Sequence, residues 1–368
     1  LGPQPLSGQG VESAESASCS PNNGVVYSGV VSSSAGRALL PIALGGSLVE
    51  GEQLCCPVAR ILESEVCMIS DRTYNMVVLV KQVPDTHNIS GDVMKPDGTI
   101  NRSALPAICN PEDLNALEMA LQVREQYGGQ VTVITMGPPA AAEVLRQALY
   151  RGADRVILLT DRRFAGADTL ATSYTLTRAI QKLGDFDLVF CGRQAIDGDT
   201  AQVGPQTAEK LGVPQITYAR QIVSLEGDQI VVERALERGS EWVKCQLPCL
   251  LTVVSSANIP RPPSARRRIE YKLAATPLEY PTLLEKWPEF GTEQALDDYL
   301  VARNLKIPVW TADTIEADPN RIGLGGSPTQ VYKVNFVVLQ STESKEVPPT
   351  PAGVAALIEE LIHEYVVG

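Results

Sequence analysis

The sequence predicts an α/β fold built on a doubly wound, mainly parallel sheet. Three observations predict it: apolar runs of strand length, helical stretches between them, and turn residues at most junctions. Strands that alternate with helices at this spacing are typical of a parallel sheet covered by helices on both faces. The chain has 368 residues, of which 44% are hydrophobic, enough for one large domain or two smaller ones.

The regular pattern begins at Met76. The run Met76–Val83 is mostly apolar, as expected for a buried parallel strand. A helix is predicted over Pro111–Tyr127, where apolar residues recur at helical spacing and Gly128 follows. Further strands are predicted at Val131–Met136, Arg155–Thr160 and Asp187–Cys191, and further helices at Ala140–Tyr150 (ending at Gly152), Asp168–Leu183 (capped by Asp168 or Thr169) and Thr200–Leu211 (capped by Asp199 or Thr200, ending at Gly212).

After Pro214 the pattern changes to β segments and then to irregular chain. An added antiparallel part is expected to extend the same sheet, with a hairpin turn at Glu226-Gly227-Asp228. The prolines of Ile259–Arg268 interrupt regular structure, and we expect the core to end there. The β segments are Ile216–Leu225, Gln229–Arg234, Glu241–Leu247 and Leu250–Ser255; later, Leu283–Asn304 is helical in places, Gly323–Pro328 is a loop and Gly353–Val366 is an amphipathic helix.

Residues 1–75 differ from the rest of the chain. They are rich in Ser, Gly and Pro at their start, and they show neither helical nor strand periodicity. Seven acidic residues against three basic ones disfavour a mitochondrial transit peptide. We expect an extension that is disordered or that results from a wrongly placed start, with Met76 as the natural first residue.

Composition excludes several classes of function. The net charge is −12, which disfavours sequence-independent nucleic-acid binding, and no apolar run approaches the length of a membrane span. Two histidines and eight cysteines without a CxxC pair give no metal-ligand pattern, and we expect reduced thiols. We therefore expect no metal site, and we find no pattern of a catalytic nucleophile or general acid.

The strongest candidate for chemistry is the segment GRQAIDGDTAQVGP, which joins a predicted strand to a predicted helix. In a doubly wound sheet, ligands bind at the carboxyl ends of the strands. Glycines at 192, 198 and 204 permit close backbone approach, and free backbone N–H groups at a helix N-terminus can hold a phosphate. The segment matches neither a Walker A sequence nor GxGxxG, and an ordinary capped loop remains the alternative.

In this segment and in several others, the chain resembles the beta subunits of electron-transfer flavoproteins. The resemblance rests on GRQAIDGDTAQVGP and on further motifs in the same order: VKQVPDT at Val80–Thr86, NPEDLNALE at Asn110–Glu118, TMGPP at Thr135–Pro139, ALYRGAD at Ala148–Asp154, GADTLATS at Gly166–Ser173, AEKLGVPQ at Ala208–Gln215 and GSPTQV at Gly326–Val331. It covers Met76 to about Ala265 and resumes near Gly323, whereas residues 1–75 show none of it. It implies a Rossmann-like domain of the adenine-nucleotide α-hydrolase type over residues 76–268, paired with an alpha subunit that carries the electron-transferring FAD.

The resemblance also implies where a nucleotide binds. In simple members the beta subunit holds AMP, and in electron-bifurcating members the same place holds the ADP half of a second FAD. The implied cofactor-binding residues are Leu79, Asn110, Pro111, Glu112, Asp113, Met136, Gly192, Arg193, Gln194, Ala195, Ile196, Asp197, Gly198, Asp199, Thr200, Ala201, Gln202 and Val203. Candidates for additional FAD or NAD contacts are Asp168, Thr169 and Thr172, although Asp168 is most simply explained as a helix N-cap.

GDTAQVGP together with GADTLATS resembles the bifurcating type, because small residues at 198 and 201 leave room for a pyrophosphate. This implies FAD as cofactor and NAD(H) as a transient substrate of a heterodimer that bifurcates electrons from NADH. Two alternatives stay open: a simple electron carrier whose beta subunit binds structural AMP, and an adenine-nucleotide sensor of the universal-stress type without a redox role.

Implied partners are the alpha subunit, an acyl-CoA dehydrogenase or a similar flavin dehydrogenase, and ferredoxin or flavodoxin. Neither nucleic acid nor membrane insertion is expected, and the expected location is the cytoplasm of a prokaryote. The family's docking loop falls near Arg261–Arg268, with Arg261, Ala265 and Arg266 as candidate contacts; the usual leucine anchor is replaced by Ala265. We expect residues 269–368 to form an extended insertion and a C-terminal arm that contacts the alpha subunit.

Overall fold

Ten strands form one sheet in the computed structural model of the chain, which describes residues 27–29, 72–85, 106–329 and 346–363. In chain order the strands are β1 (Tyr27–Gly29), β2 (Tyr74–Val80), β3 (Gln82–Pro84), β4 (Ala107–Cys109), β5 (Gly129–Met136), β6 (Arg155–Leu159), β7 (Leu188–Gly192), β8 (Gln215–Glu226), β9 (Gln229–Leu236), β10 (Gly239–Gln246), β11 (Cys249–Val253) and β12 (Val309–Trp310). The helices are α1 (Pro111–Tyr127), α2 (Ala142–Arg151), α3 (Thr169–Leu183), α4 (Val203–Leu211), α5 (Ala265–Tyr271), α6 (Tyr280–Lys286), α7 (Glu293–Ala302) and α8 (Pro351–His363).

The spatial order of the strands is β1-β10-β9-β8-β11-β7-β2-β5-β6-β12, and β3 pairs with β4 in a separate two-stranded sheet. Every neighbouring pair from β8 to β12 is parallel, whereas β9, β10 and β1 add antiparallel. The prediction of a doubly wound, mainly parallel sheet with an antiparallel addition is confirmed. One detail differs, because β11 is inserted between β7 and β8 and is parallel to both.

Helices cover both faces of the parallel part, which explains why its strands are apolar throughout. Successive residues of β2 alternate between two core clusters: Met76 and Val78 lie in the cluster with α1 and α2, and Val77 and Leu79 in the cluster with α3 and α4. All four side chains are buried. A strand buried on both faces reads as a continuous apolar run rather than as an alternating one.

The predicted helix boundaries agree with the structure where characteristic residues mark the helix ends. Helix α1 spans the predicted Pro111–Tyr127, and Asp168 caps α3 by accepting a hydrogen bond from the Ala171 N–H at 3.0 Å. The prediction that Asp199 or Thr200 caps the next helix is wrong. Helix α4 begins three residues later, at Val203, and the residue before it makes no side-chain cap.

The first strand of the sheet starts before the expected boundary. Tyr74 is buried, its hydroxyl donates to the Gly227 carbonyl at 3.1 Å, and Arg72 forms ion pairs with Asp187 and Asp228. The backbone of β1 pairs antiparallel with β10. Residues 1–26 and 30–71 lie outside the described part of the chain, as does His87. The fold therefore includes residues that were assigned to the extension.

The core also continues past the proline-rich segment where we expected it to end. Strand β12 extends the sheet at β6, with Val309 opposite Leu158. Arg267 of α5 donates to the carbonyls of Leu149 and Ala153 at 2.7 and 2.6 Å, at the end of α2. Buried residues from this part, all in the two core clusters, are Ala274, Ala275, Tyr280, Leu296, Leu300, Leu305, Ile307, Ala312, Ile315 and Ile322.

Helix α8 belongs to a second unit of the chain. It covers most of the predicted amphipathic helix; residues 364–366 lie outside the described part. Val354, Ile358 and Ile362 share one face at helical spacing and are each about half exposed. In the parts of the chain that the structure describes, no helix combines the length and apolar character needed to cross a membrane.

Candidate functional site

The candidate site lies where the direction of the winding reverses. From β2 the chain crosses to β5 and β6 on one side and then returns to β7 on the other side of β2. The carboxyl ends of β7 and β2 are neighbours at this point, which is the usual ligand crevice of an open α/β sheet. The segment between β7 and α4, residues 193–202, begins in this crevice and is called the crevice loop below.

The first turn of α1 holds the crevice loop through main-chain atoms. The Asn110 amide donates to the Gln194 carbonyl at 2.9 Å and accepts from the Ile196 N–H at 3.1 Å. Glu112 accepts from the Gln194 N–H at 3.0 Å, and Arg193 lies 3.0 Å from its other oxygen. These side chains hold the loop in its shape. If Asn110 and Glu112 also contact a cofactor, as the resemblance implies, they have two roles.

Asp113 is the buried centre of this arrangement. Its Oδ1 accepts from the Gly192 N–H at 2.9 Å and its Oδ2 from the Lys81 N–H at 2.8 Å, so one carboxyl joins the ends of β2 and β7. Burial raises the pKa of Asp113 to about 7, although the hydrogen bonds from the two backbone N–H groups oppose the shift.

Position 192 requires glycine, because its backbone lies close to Asp113 and Glu112. A Cβ at position 192 would lie 2.5 Å from the Asp113 Oδ1 and 2.8 Å from the Glu112 carbonyl carbon. Gly204 is similarly tight, since a Cβ there would lie 2.7 Å from the Cys191 Sγ. Gly198 differs from both, because its Cβ would meet no atom within 4 Å.

The end of the crevice loop presents unused hydrogen-bond donors. Asp199 and Ala201 have positive φ angles of 47° and 52°, which non-glycine residues rarely adopt. Within the described residues, the backbone N–H groups of Thr200, Ala201 and Gln202 donate to no protein acceptor, and the Thr200 hydroxyl has no partner either. Successive N–H groups in alternating left- and right-handed conformations form an anion-binding concavity. The donor set therefore fits a phosphate group.

Two carboxylates of the crevice loop are turned toward other side chains. The Lys81 Nζ lies 2.7 and 2.8 Å from the two carboxylate oxygens of Asp197. The Gln194 amide donates to the Asp199 Oδ1 at 3.0 Å. Sequence reasoning did not single out Lys81; its position directly after a buried strand was the available signal.

The N-terminus of α3 forms a second wall. Thr169 donates from its hydroxyl to the Gln202 side chain at 2.8 Å, which connects α3 to the end of the crevice loop. Asp168 accepts from the Thr329 N–H and hydroxyl at 3.1 and 2.7 Å, and its own N–H donates to Ser327 at 2.8 Å. Burial opposes ionisation, but the hydrogen bonds to its carboxylate hold the pKa of Asp168 below its usual value. The GSPT part of GSPTQV thus anchors α3.

The remaining implied contact residues are buried or partly buried. Leu79 is buried in the core and pairs with Cys191 across β2 and β7, so only its backbone is near the crevice. Met136 ends β5, and Pro111 opens α1; both are partly buried, as is Thr172.

Tyr218, which sequence reasoning missed, lies beside the start of the loop. It occupies a bulge in β8 with a φ of 59°, an unusual conformation for a bulky residue. The Arg193 guanidinium lies 5.9 Å from the centre of its ring, within the range of a cation–π contact. About two fifths of Tyr218 is exposed. No sequence pattern marks this backbone conformation.

The candidate docking residues fall into two groups. Arg261 is bound within the chain, because its guanidinium pairs with Glu118 at 2.8 Å and with Glu125 on α1. Ala265 and Arg266 are exposed. Any docking role of Arg261 would compete with these ion pairs.

Comparison with known proteins identifies the family. The electron transfer flavoprotein domain matches residues 97–277. The electron transfer flavoprotein subunit beta of Thermoanaerobacterium thermosaccharolyticum is 47% identical over 257 residues, covering 70% of this chain and 86% of the relative. The subunit of the same name from Clostridium acetobutylicum is 42% identical over 291 residues, covering 79% and 99%. The acryloyl-CoA reductase electron transfer subunit gamma of Anaerotignum propionicum is 40% identical over 303 residues, covering 79% and 98%. The chain therefore belongs to the electron transfer flavoprotein beta-subunit family.

Proposed function

We propose that this chain is the beta subunit of a heterodimeric electron-transfer flavoprotein and that its crevice loop binds the phosphates of an adenine nucleotide. The observation that carries the proposal is the row of N–H groups at Thr200–Gln202, which donate to no acceptor in the described ranges, next to the uncapped start of α4. Backbone donors and a helix N-terminus together favour an anion.

The nucleotide we propose is FAD, whose flavin supplies the one- and two-electron chemistry when it is bound. The chain's own part is to bind and orient it. Backbone N–H groups and the Thr200 hydroxyl would hold phosphate oxygens, while the first turn of α1 fixes the loop and α3 closes the other side. Structural AMP is the alternative occupant of the same donors.

We further propose that the heterodimer is an electron-bifurcating flavoprotein with NAD(H) as a transient substrate. Its proposed partner is an acyl-CoA dehydrogenase or a similar flavin dehydrogenase, and its proposed acceptor is ferredoxin or flavodoxin. The proposed location is the cytoplasm. The space at Gly198 supports the bifurcating type, because a Cβ placed there would have no described atom within 4 Å apart from its chain neighbours. The relative from Anaerotignum propionicum, named as an electron transfer subunit of acryloyl-CoA reductase, is compatible with this setting.

The proposed contact with the alpha subunit involves α8. Its exposed apolar face, formed by Val354, Ile358 and Ile362, would be covered by that partner. Deletion of residues 353–368 should then weaken heterodimer formation and leave the single subunit in solution, as size-exclusion chromatography would show. Unchanged assembly would contradict this contact.

The test of the nucleotide site is Gly198→Glu in the full chain co-expressed with its alpha subunit. A Cβ at position 198 meets no atom within 4 Å, and the new carboxylate would place a negative charge beside the proposed phosphates. Val301→Glu on α7 is the matched control, because it adds the same charge at an exposed position. FAD and AMP released by heat are then counted per heterodimer.

We expect the control to retain all nucleotide and Gly198→Glu to lose what the beta subunit holds. Loss of one FAD of two supports the bifurcating type, whereas loss of AMP alone supports the simple carrier. Full retention by Gly198→Glu would show that the phosphates are not at this loop. A wild-type chain that holds an adenine nucleotide but stays colourless and joins no alpha subunit would support the sensor alternative.

A further inference from the structure

Lys81 is a cationic residue with a flexible side chain at the mouth of the crevice. Its backbone N–H is fixed by Asp113, so the base of the side chain cannot move far. Its ammonium, in contrast, ends a flexible four-carbon stem that is 48% exposed. The partner of this ammonium, Asp197, belongs to the crevice loop.

The charges around the loop make a cation necessary for anion binding. Glu112, Asp197 and Asp199 all lie in or against the loop, and Glu112 already accepts a backbone N–H group. Arg193 is held by Glu112 through two of its nitrogens. A phosphate at this place must therefore obtain its counter-charge from Lys81 or remain beside an excess of negative charge, which is unfavourable in a partly desolvated site.

We propose that Lys81 is a phosphate-binding residue and that Asp197 competes with the phosphate for its ammonium. This inference rests on the proposed nucleotide site. In the absence of an anion, the Lys81–Asp197 pair neutralises both charges. When a phosphate binds, the ammonium exchanges a carboxylate oxygen for a phosphate oxygen, by a rotation of the side chain alone.

The exchange predicts opposite effects for the two partners of the ion pair. Lys81→Gln removes the counter-charge and should weaken AMP binding about tenfold or more, the usual effect of a lost hydrogen bond to a charged group. Asp197→Asn removes the competitor and should strengthen AMP binding severalfold. A pair that only fixed the shape of the loop would make both substitutions weaken binding to a similar extent.

The experiment titrates the full chain, freed of bound nucleotide by charcoal, with AMP in a calorimeter. Salt at about 0.05 M and about 0.3 M is compared, because screening weakens an exposed charge contact. Lys306→Gln and Asp297→Asn are the matched controls: the Lys306 Nζ lies 2.7 Å from Asp297, an equivalent pair away from the crevice. Lys81→Arg, which keeps the charge, should restore most of the affinity, and thermal melting checks the fold of each variant.

We expect weaker binding and a smaller salt effect for Lys81→Gln, stronger binding for Asp197→Asn, and no change for the two controls. Equal weakening by both crevice variants, or no effect of Lys81→Gln, would overturn the exchange while leaving the nucleotide site itself intact. If the wild-type chain binds neither AMP nor FAD, the proposed function fails, and this inference fails with it.

Discussion

Replacement of Asp113 by Asn should remove a pH dependence from the stability of the fold. The carboxyl is buried and has a pKa of about 7 in the folded chain, against an ordinary value of 3.8. Between these two pH values the folded state binds more protons than the unfolded state, so this group's contribution to stability is present below about pH 4 and is lost as the pH rises through 7. From pH 5 to pH 8 the free energy of unfolding should fall by about 3 kcal/mol for this group alone.

Asn resembles the protonated carboxyl, because one side accepts and the other donates. The groups that face it are donors, namely the N–H groups of Gly192 and Lys81 and the side chain of Asn110, so a donor that faces the new NH2 group loses its acceptor at a cost of about 1–3 kcal/mol. The protonated carboxyl of the wild type keeps acceptor capacity on both oxygens, so this cost falls on the variant alone. We therefore expect the variant to be less stable than the wild type at pH 5 and to gain stability relative to it toward pH 8.

Urea denaturation, followed by circular dichroism at pH 5, 6, 7 and 8, measures the difference between the two chains. Asp185→Asn serves as the control, since Asp185 is exposed in the turn after α3. The reasoning is refuted if the difference between wild type and Asp113→Asn stays constant with pH or changes in the opposite direction. A constant difference would mean that the carboxyl ionises at its ordinary pKa despite its burial, and the opposite trend would mean a lowered pKa.

Three further predictions follow from contacts elsewhere. A chain beginning at Asp71 loses only the edge strand β1 and should melt slightly below the full chain, whereas one beginning at Met76 also loses the buried Tyr74 and should melt at a clearly lower temperature. Arg261→Ala leaves the largely buried Glu118 unpaired and should lower the free energy of unfolding by about 1–3 kcal/mol, while exposed Arg266→Ala should change it by less than about 0.5 kcal/mol. Gly204→Ala should cost about 1–3 kcal/mol in a denaturant titration because its Cβ would meet the Cys191 Sγ, and Gly198→Ala, in open space, should be close to neutral. A neutral Arg261→Ala or Gly204→Ala would contradict these contacts.

The parts of the fold that the sequence predicts are those set by local chemistry. Helix α1 has Pro in its first turn and glycine after its last residue, and Asp168 caps α3, so both helices were placed within a residue. The alternation of strand and helix also predicted the parallel sheet. These signals need no knowledge of distant contacts.

What the sequence did not predict depends on tertiary contacts. The left-handed Asp199 and Ala201 delay the start of α4, although both are common helix or cap residues. Strand β12 and its neighbours lack a marked periodicity and are placed by packing against β6 and α2. In the site, the loop was found from its glycines, whereas the ion pair of Lys81 joins residues 116 positions apart.

The shape of the crevice loop depends little on its amino-acid composition, because the loop is held largely through its main chain. Asn110, Glu112 and Asp113 bond to main-chain atoms, which every amino acid possesses. Side chains such as those at 195 and 196 can therefore be replaced without releasing the loop, whereas Asp197, Asp199 and Gln202 also bond through their own side chains. One rigid frame could in this way be adapted to cofactors of different size by changing only the surface that it presents, so ligand choice and folding are open to largely independent variation.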